Sequence, residues 1–502
     1  MTVIRLTGHF ESTGALELLR LFFGTAWINP DGSLQGGENK PMLCSVYEVL
    51  ANGEYRVTTR IEQAASEAVA GEDVSETTTK AEAETKAEAE AEAEKRPPIA
   101  ARREIKRQLY TLLSEVTGRS FPYGSLTGVR PTRLAADELA AGRSAESAER
   151  SLIDAYQVAP AKARLLVTTA VSELLLLNRL PVTQPLIYLN IPFCPSHCSY
   201  CSFSCGTVAE HKIELDDYVN GMIAEIKQLG PWFKNPASAV YLGGGTPTTL
   251  SALQLQRLLS AVVDELPLAA NFEFTVEAGR ADTIDPEKLN VMRAAGVSRI
   301  CLNPQTLHDK TLQRIGRRHS SQDWYKAYMA ARSAGFSTIN ADLIAGLPAE
   351  TAADFLASLN ALIAAGPENI TIHTLAYKRK SELTRNLDND VMTTTDNNQW
   401  ESALSEANER LISADYQPYY LYRQKDMIGG LENTGYARPG TACLYNVGMM
   451  SDERAVIGIG AGAMSKYFDA RGWLQRLPAP RDPKTWLRNR EDITKRKLAK
   501  LF

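Results

Sequence analysis

Directly after a short apolar run the chain carries Cys194-Pro195-Ser196-His197-Cys198-Ser199-Tyr200-Cys201. Three thiols within eight residues can converge on one inorganic centre if the loop wraps it, and Pro192 and Pro195 restrict φ in a way that helps hold such a wrap. Thiolates are the ligands of iron–sulfur clusters, and a cubane has four irons, so three cysteines leave one iron open to a small molecule. A zinc site completed by Cys205 or His197 would use the same thiols, although zinc spacing is normally two C-x-x-C pairs and the second pair is missing. Buried, unrelated thiols are the third reading. The C-x3-C-x2-C spacing is the strongest signal in the chain.

Other residues have chemistry of their own. Tyr241-Leu242-Gly243-Gly244-Gly245-Thr246-Pro247 places three glycines where backbone can approach a ligand with no Cβ in the way, or simply makes a tight turn. Glu277, in VEAGR, could accept from an ammonium or a ribose hydroxyl. Gln305 closes the next apolar run, and Arg317 follows twelve residues later in IGRRH. Asp342 interrupts NADLIAGLP, where an unpaired carboxylate would be costly to bury. A structural hydrogen bond would account for any one of these alone. Together they fall at or near the ends of successive strands, where (β/α) folds collect their ligands. Gly458-Ile459-Gly460-Ala461-Gly462 has no clear strand–turn–helix setting for a dinucleotide fingerprint.

The elements that must position these residues follow from periodicity. After Pro185, short runs rich in β-branched and aromatic residues (187–193, 240–242, 272–276, 299–302, 338–344 and 370–375) alternate with amphipathic helical patterns, among them 215–229, 252–266, 286–295 and 352–365. Six βα repeats imply a parallel sheet, either a barrel or an open part of one. Upstream, 102–180 is helical, with Leu109, Leu112, Leu113 and Val116 on one face, broken by a loop bearing Arg130 and Arg133. The stretch 62–95, with AEAETKAEAEAEAEKR, favours helix locally but has no apolar stripe to dock, and reads as a solvated, partly helical linker. The expected domains are a small α+β unit (1–61), the acidic linker (62–100), a helical region (101–184), the βα core (185–378) and a C-terminal substrate-covering domain (379–502).

The 502 residues carry 55 Lys+Arg against 59 Asp+Glu, a formal charge of −4, with no broad basic field for nucleic acid. The first twenty residues lack a signal-peptide core, and no run of apolar residues is long enough to span a membrane. Seven cysteines are few for a disulfide scaffold of this size, so a cytoplasmic protein with reduced thiols is expected.

The string YLNIPFCPSHCSYC resembles the cluster loop of radical S-adenosylmethionine (SAM) enzymes, specifically the oxygen-independent coproporphyrinogen III oxidase (coproporphyrinogen dehydrogenase) group. The similarity runs from about Tyr188 to Lys466, with VEAGRADTI, LNPQTL, IGRRHS, HTLAYKRKSEL and YYLYRQKDMIGGLENTGYA in order. These strings and the extra N-terminal region are similar to a divergent subgroup of anaerobic and Gram-positive bacteria. The resemblance implies an α/β fold with a partial (β/α)6 barrel. It also implies a [4Fe–4S] cluster on Cys194, Cys198 and Cys201, whose open iron chelates SAM. One electron from a low-potential donor then yields methionine and a 5′-deoxyadenosyl radical. By the same resemblance Tyr188 lies beside the sulfonium, Gly244, Gly245 and Thr246 contact the methionine part, and Glu277, Gln305, Arg317, Asp342 and the backbone near Ala376 complete the SAM site. The glycine segment 458–462 resembles one that packs the C-terminal domain near that pocket. The implied reaction is oxidative decarboxylation of two propionates of coproporphyrinogen III, giving protoporphyrinogen IX in haem biosynthesis.

Two positions depart from the family pattern. Phe203 stands where characterised members have a fourth cysteine, and Asn190 stands where the family often has histidine. Relatives lacking that cysteine include haem-binding chaperones without oxidase activity, and a radical SAM enzyme acting on another tetrapyrrole is a further alternative. The aromatic and basic segment 416–436, with Tyr419, Tyr420, Tyr422, Arg423 and Lys425, would suit a flat macrocycle ringed by carboxylates, as would Lys378, Arg379 and Lys380. An edge strand with solvated cations is the plainer reading. Cys44, Cys301 and Cys443 are expected to be packing residues.

Overall fold

Parallel strands covered on both faces read as continuous apolar runs, and the run after Pro185 behaves this way: Leu186, Ile187, Leu189 and Ile191 are all fully buried. The structure is a computed structural model that describes residues 2–7, 12–23, 27–28, 34–36, 42–49, 55–62, 79–81, 99–203, 206–207, 210, 213–377, 381, 383, 397–425 and 427–502. The chain divides into two compact units. One comprises Met1–Thr168, Leu387–Glu401 and Tyr422–Leu431; the other comprises Thr169–Asn386, Ser402–Leu421 and Glu432–Phe502.

In the first unit six strands form one sheet in the order Trp27–Ile28, Leu34–Gly36, Thr2–Thr7, Met42–Val49, Tyr55–Glu62, Thr79–Ala81. The helix Ser12–Phe23 buries Ala15, Leu18, Leu19 and Phe22 at helical spacing, in one core with Ile105, Leu109 and Leu113 of the helix Ile99–Thr117. One expectation needs correction here. Thr79–Ala81, inside the stretch read as a partly helical linker, pairs antiparallel with Tyr55–Val57. β-branched Thr79 precedes the Ala/Glu run and finds an open strand edge, which outweighs local helix preference. Most of the remaining linker lies outside the described residues.

The second unit holds the six expected strands: β1 (Leu186–Ile191), β2 (Ala237–Gly244), β3 (Leu268–Glu277), β4 (Arg299–Cys301), β5 (Thr338–Ala345) and β6 (Asn369–Thr374). Neighbours pair in parallel throughout, in the order β6-β5-β4-β3-β2-β1. Helices α1 (Leu215–Leu229), α2 (Ala252–Glu265), α3 (Pro286–Ala294), α4 (Ser321–Ser333) and α5 (Ala352–Ala365) join them. Capping boxes start α2 (Ser251, Gln254), α4 (Ser320, Asp323) and α5 (Thr351, Asp354), satisfying orphan N–H groups at each entry. These starts fix where each strand's C-terminal loop must end.

Among the described residues the run of six does not close on itself. Strands β7 (Gln417–Tyr422) and β8 (Asn433–Ala437) extend the sheet beyond β6, with β8 antiparallel to β6. On the other side β9 (Val456–Ile459) lies parallel to β1, followed by antiparallel β10 (Met464–Phe468) and β11 (Leu474–Pro478). The result is an open eleven-stranded mixed sheet, an α/β fold with a partial barrel. Helices α6 (Leu444–Met450), α7 (Pro483–Arg488) and α8 (Arg490–Leu501) follow in the same unit.

The segment 416–436 differs from the expected substrate-facing surface. Tyr416, Tyr419 and Tyr420 are buried, and the Tyr416 hydroxyl donates to the Pro367 carbonyl. Arg423 is buried too: it donates to the carbonyls of Leu126 and Gly430, with its guanidinium 4.4 Å from the centre of the Tyr123 ring. Lys425 pairs with Glu17 at 3.1 Å. Packing and carbonyl capping occupy these groups. Lys378, Arg379 and Lys380 lie outside the described residues.

Candidate functional site

The cysteine loop leaves β1 and is pinned by backbone bonds to two neighbouring segments. Gly245 N donates to Ile191 O (2.7 Å), Thr246 N to Phe193 O (2.8 Å) and Ser199 N to Ile315 O (3.1 Å). The glycines after β2 permit this approach. A Cβ on Gly245 would lie 2.5 Å from the Phe193 carbonyl and 3.0 Å from Cys194 Sγ. Gly244 sits at φ +115°, and a Cβ there would meet Asn190 Oδ1 at 2.2 Å. The Thr246 hydroxyl lies 3.6 Å from Cys194 Sγ, toward which it donates. The turn after β2 is therefore packed directly on the first thiol.

Glu277, at the end of β3, accepts from the Tyr241 hydroxyl (2.5 Å) and from Gly244 N (3.2 Å). Burial pushes its carboxyl up to about 7, against those two hydrogen bonds and with the Asp342 charge adding to the rise. Tyr188 donates to Asn190 Oδ1 (2.9 Å), and its ring stacks on Tyr445 at 6.3 Å and lies at the same distance from Tyr241. Asn190 in turn donates to Ala461 O (2.5 Å), which gives the glycine segment 458–462 a role as a brace for β1.

Gln305 holds a left-handed backbone (φ +70°), unusual for a residue with a side chain, while its N–H and C=O pair with Asp342 O and Ile344 N of β5. The Gln305 side chain is buried and its Oε1 has no partner. Arg317 is buried as well. It donates to Gly279 O, Asn303 O and the Tyr200 hydroxyl at 3.0–3.2 Å, tying the cysteine loop to the ends of β3 and β4, while its Nε has no partner. Burial alone would raise the Asp342 carboxyl. His373, with Nε2 3.6 Å from Oδ2, and the Asn340 amide, 2.7 Å from Oδ1, hold it below the ordinary range. Ala376 lies two residues beyond β6, half-buried, with no side-chain bond to the others.

Most of the proposed ligands thus fall beyond or at the C-terminal ends of the strands, while Tyr188 and Asp342 lie within β1 and β5. Cys194 meets Thr246 and Gly245; Gly244 meets Glu277; Gln305 meets Asp342; Arg317 meets the cysteine loop. Several neighbours escaped the sequence reading: Tyr241, Tyr445, His373 and the buried Arg280. His319 also lines a cavity of about 680 Å³ beside the loop, its imidazole pushed down to about 4 by burial and the Arg317 charge. The signal for Arg280 was present in VEAGRAD, where a cation sits two residues before a carboxylate. Cys44, Cys301 and Cys443 are buried. Cys205 lies outside the described residues.

Among the described residues no three His, Cys, Asp or Glu side chains converge as a single metal ion would require. A cubane offers one iron to each thiolate, so its ligands stand further apart than those of one zinc. Cys194, Cys198 and Cys201 are not disulfide-bonded, and together with the glycine cradle and the unpartnered Gln305 Oε1 and Arg317 Nε they fit a cluster with a polar small-molecule ligand.

A run of parallel βα units with a three-thiol loop after its first strand defines the radical SAM class, and residues 189–362 match the Radical SAM superfamily. The chain is 36% identical over 396 residues to the oxygen-independent coproporphyrinogen-III oxidase-like protein HemZ of Bacillus subtilis (strain 168), covering 77% of this chain and 78% of that protein. It is 28% identical to the heme chaperone HemW of Escherichia coli (strain K12) over 61% of this chain and 76% of that one. The solved structure of coproporphyrinogen III oxidase (HemN) from Escherichia coli superposes with a TM-score of 0.51 at 20% identity, over 65% of this chain and 73% of that one. The chain belongs to the coproporphyrinogen-III oxidase-like family of radical SAM proteins. The cofactors of that superfamily are a [4Fe–4S] cluster and SAM. Among the described residues no helix is long and apolar enough to cross a membrane.

Proposed function

We propose that the protein carries out oxygen-independent oxidative decarboxylation of coproporphyrinogen III to protoporphyrinogen IX, in the cytoplasm, drawing on a low-potential electron donor. In this reading Cys194, Cys198 and Cys201 hold three irons. Gly244, Gly245, Thr246 and Glu277 take the methionine end of SAM, and Tyr188, Gln305, Arg317, Asp342 and the backbone near Ala376 hold the rest. When bound, the cluster and SAM would supply one carbon radical for each of two propionates, to take one hydrogen atom from it; each propionate would then lose CO2 and pass one electron to an external one-electron acceptor, becoming a vinyl group. The chain's own part is to orient and to keep water out: Tyr241 and Tyr445, buried and stacked 4.6 Å apart, wall the site beside Tyr188. The domain division at 61, 100, 184 and 378 is part of the same proposal, with 379–502 covering the substrate.

The observation that carries this reading is the similarity to the oxidase-like relative, which spans 77% of the chain and extends beyond the βα core. A second reading has support from Phe203, which is 73% exposed where a fourth cysteine would stand, and from relatives named as heme chaperones. The test is anaerobic: reconstituted protein receives SAM, dithionite and coproporphyrinogen III, and tetrapyrrole mass is followed with 5′-deoxyadenosine. Two CO2 losses matched by deoxyadenosine are expected. Deoxyadenosine without a decarboxylated product, together with stoichiometric haem binding, would transfer the assignment to haem handling.

A further inference from the structure

Arg280 follows the end of β3 by three residues and is 2% exposed, so its charge must be answered by protein groups. Asp282 grips one edge of the guanidinium, with Nε to Oδ1 and Nη2 to Oδ2 both at 2.9 Å. That bidentate clamp aims the remaining nitrogen, Nη1, at the cysteine loop. Nη1 donates to Ser196 Oγ (2.9 Å) and Ser196 O (3.3 Å), and it lies 3.8 Å from Cys198 Sγ. Ser196 passes the contact on by donating to Gly316 O (3.2 Å). A buried, permanently charged group is thus fixed in orientation against a thiol that the proposed cluster would use.

A cubane held by three thiolates is anionic, and reduction makes it more so. Hydrogen bonds to ligand sulfur and nearby positive charge stabilise the reduced form more than the oxidised one, which raises the reduction potential. Arginine stays charged at any working pH, so the effect does not fade with titration. The Asp282 charge opposes it only in part, because it sits on the far edge of the guanidinium. Thr246 stands in the same relation to Cys194, as an uncharged donor.

We propose that Arg280 is a positioning residue that sets the reduction potential of the cluster through the sulfur of Cys198, while its bonds to Ser196 hold the loop in shape. The inference rests on the cluster reading above. Its test is an anaerobic redox titration of the reconstituted full-length protein, followed by the electron paramagnetic resonance signal of the reduced cluster. Arg280→Gln keeps a donor toward Ser196 and removes the charge. It is expected to make reduction at least tenfold less favourable, a negative shift of about 59 mV for one electron. Arg280→Met is expected to shift it at least as far, and Arg280→Lys, which keeps the charge, to stay closer to the parent protein. Charge-free variants that hold four irons and titrate with the parent protein would overturn the inference, as would a lysine variant displaced as far as the glutamine one. If the methionine variant loses its cluster, the glutamine–lysine pair still decides. A parent protein that assembles no cluster would overturn the reading of the three cysteines, and this inference with it.

Discussion

Lys497 and Glu225 form an ion pair that is 1% and 0% exposed, far from any water that could screen it. The ammonium of Lys497, on α8, donates to Glu225 Oε1 on α1 and to Gly458 O on β9, each at 2.5 Å. The second carboxylate oxygen accepts from Gly460 N at 3.1 Å. Lys497→Met fills the same space with an apolar chain and leaves a buried carboxylate with a single backbone donor. Breaking one side of such a pair costs about 3–5 kcal/mol. At about 1.4 kcal/mol per decade, that is two to four decades in the local opening equilibrium. Hydrogen exchange followed by mass spectrometry on peptides covering 456–462 and 490–502 should show protection falling by that amount, together with a lower unfolding temperature. Glu225→Gln combined with Lys497→Met removes both charges and keeps the acceptor for Gly460, so most of the loss should return. The effect should reach the site as well. Ala461 N donates to the Tyr218 hydroxyl (2.8 Å), Tyr218 donates to Asn190 O (2.9 Å), and Asn190 holds Tyr188, so SAM affinity should weaken in the single variant. A single variant costing under about 1 kcal/mol, as exposed pairs do, or a double variant no better than the single, would refute the reasoning.

Three other outcomes are expected. Gly245→Ala drives a Cβ into the Phe193 carbonyl and against Cys194 Sγ, so iron content after reconstitution should fall to less than half, measured by iron assay and visible absorbance. Cys198→Ala should abolish both the cluster and 5′-deoxyadenosine formation; a variant that still made deoxyadenosine would remove Cys198 from the ligand set. Because the Glu277 carboxyl is pushed up to about 7, it is neutral below that pH and offers charge to the SAM cation only above it. SAM binding measured from pH 6 to 8 should therefore strengthen as pH rises through 7, and Glu277→Gln should flatten the profile.

Local pattern made much of this legible. The six parallel strands are short runs rich in β-branched or aromatic residues beside helical periods, and the three thiols announce themselves by spacing. Tertiary placement was another matter. β9 is only four residues, Val456–Ile459, and nothing nearby in sequence says that it will lie parallel to β1. The tyrosines of 416–436 read as a face for a macrocycle because composition cannot distinguish an aromatic residue offered to a ligand from one packed inside, as Tyr416 is. For Arg280 the converse holds: its spacing from Asp282 suggests a pair, but such a pair in a loop is ordinarily solvated, and only the fold buries it against Cys198. Asn190 was noted as a missing histidine, yet its amide bridges Tyr188 and Ala461, a task that needs a donor and an acceptor together.

The pairing of β1 with β9 also sets a schedule for biosynthesis. Leu186 N donates to Ala455 O, and Leu186 pairs with Val456, 270 residues (456 − 186) further along the chain. At about 5–20 residues per second, a ribosome needs roughly 14–54 s to travel between them. Throughout that interval the strand leading into the three thiols has one flank exposed, and the brace that fixes Asn190 has not yet been made. The loop's own backbone pins, to Gly245, Thr246 and Ile315, are made earlier, so what waits for β9 is the support beneath β1 rather than the loop itself.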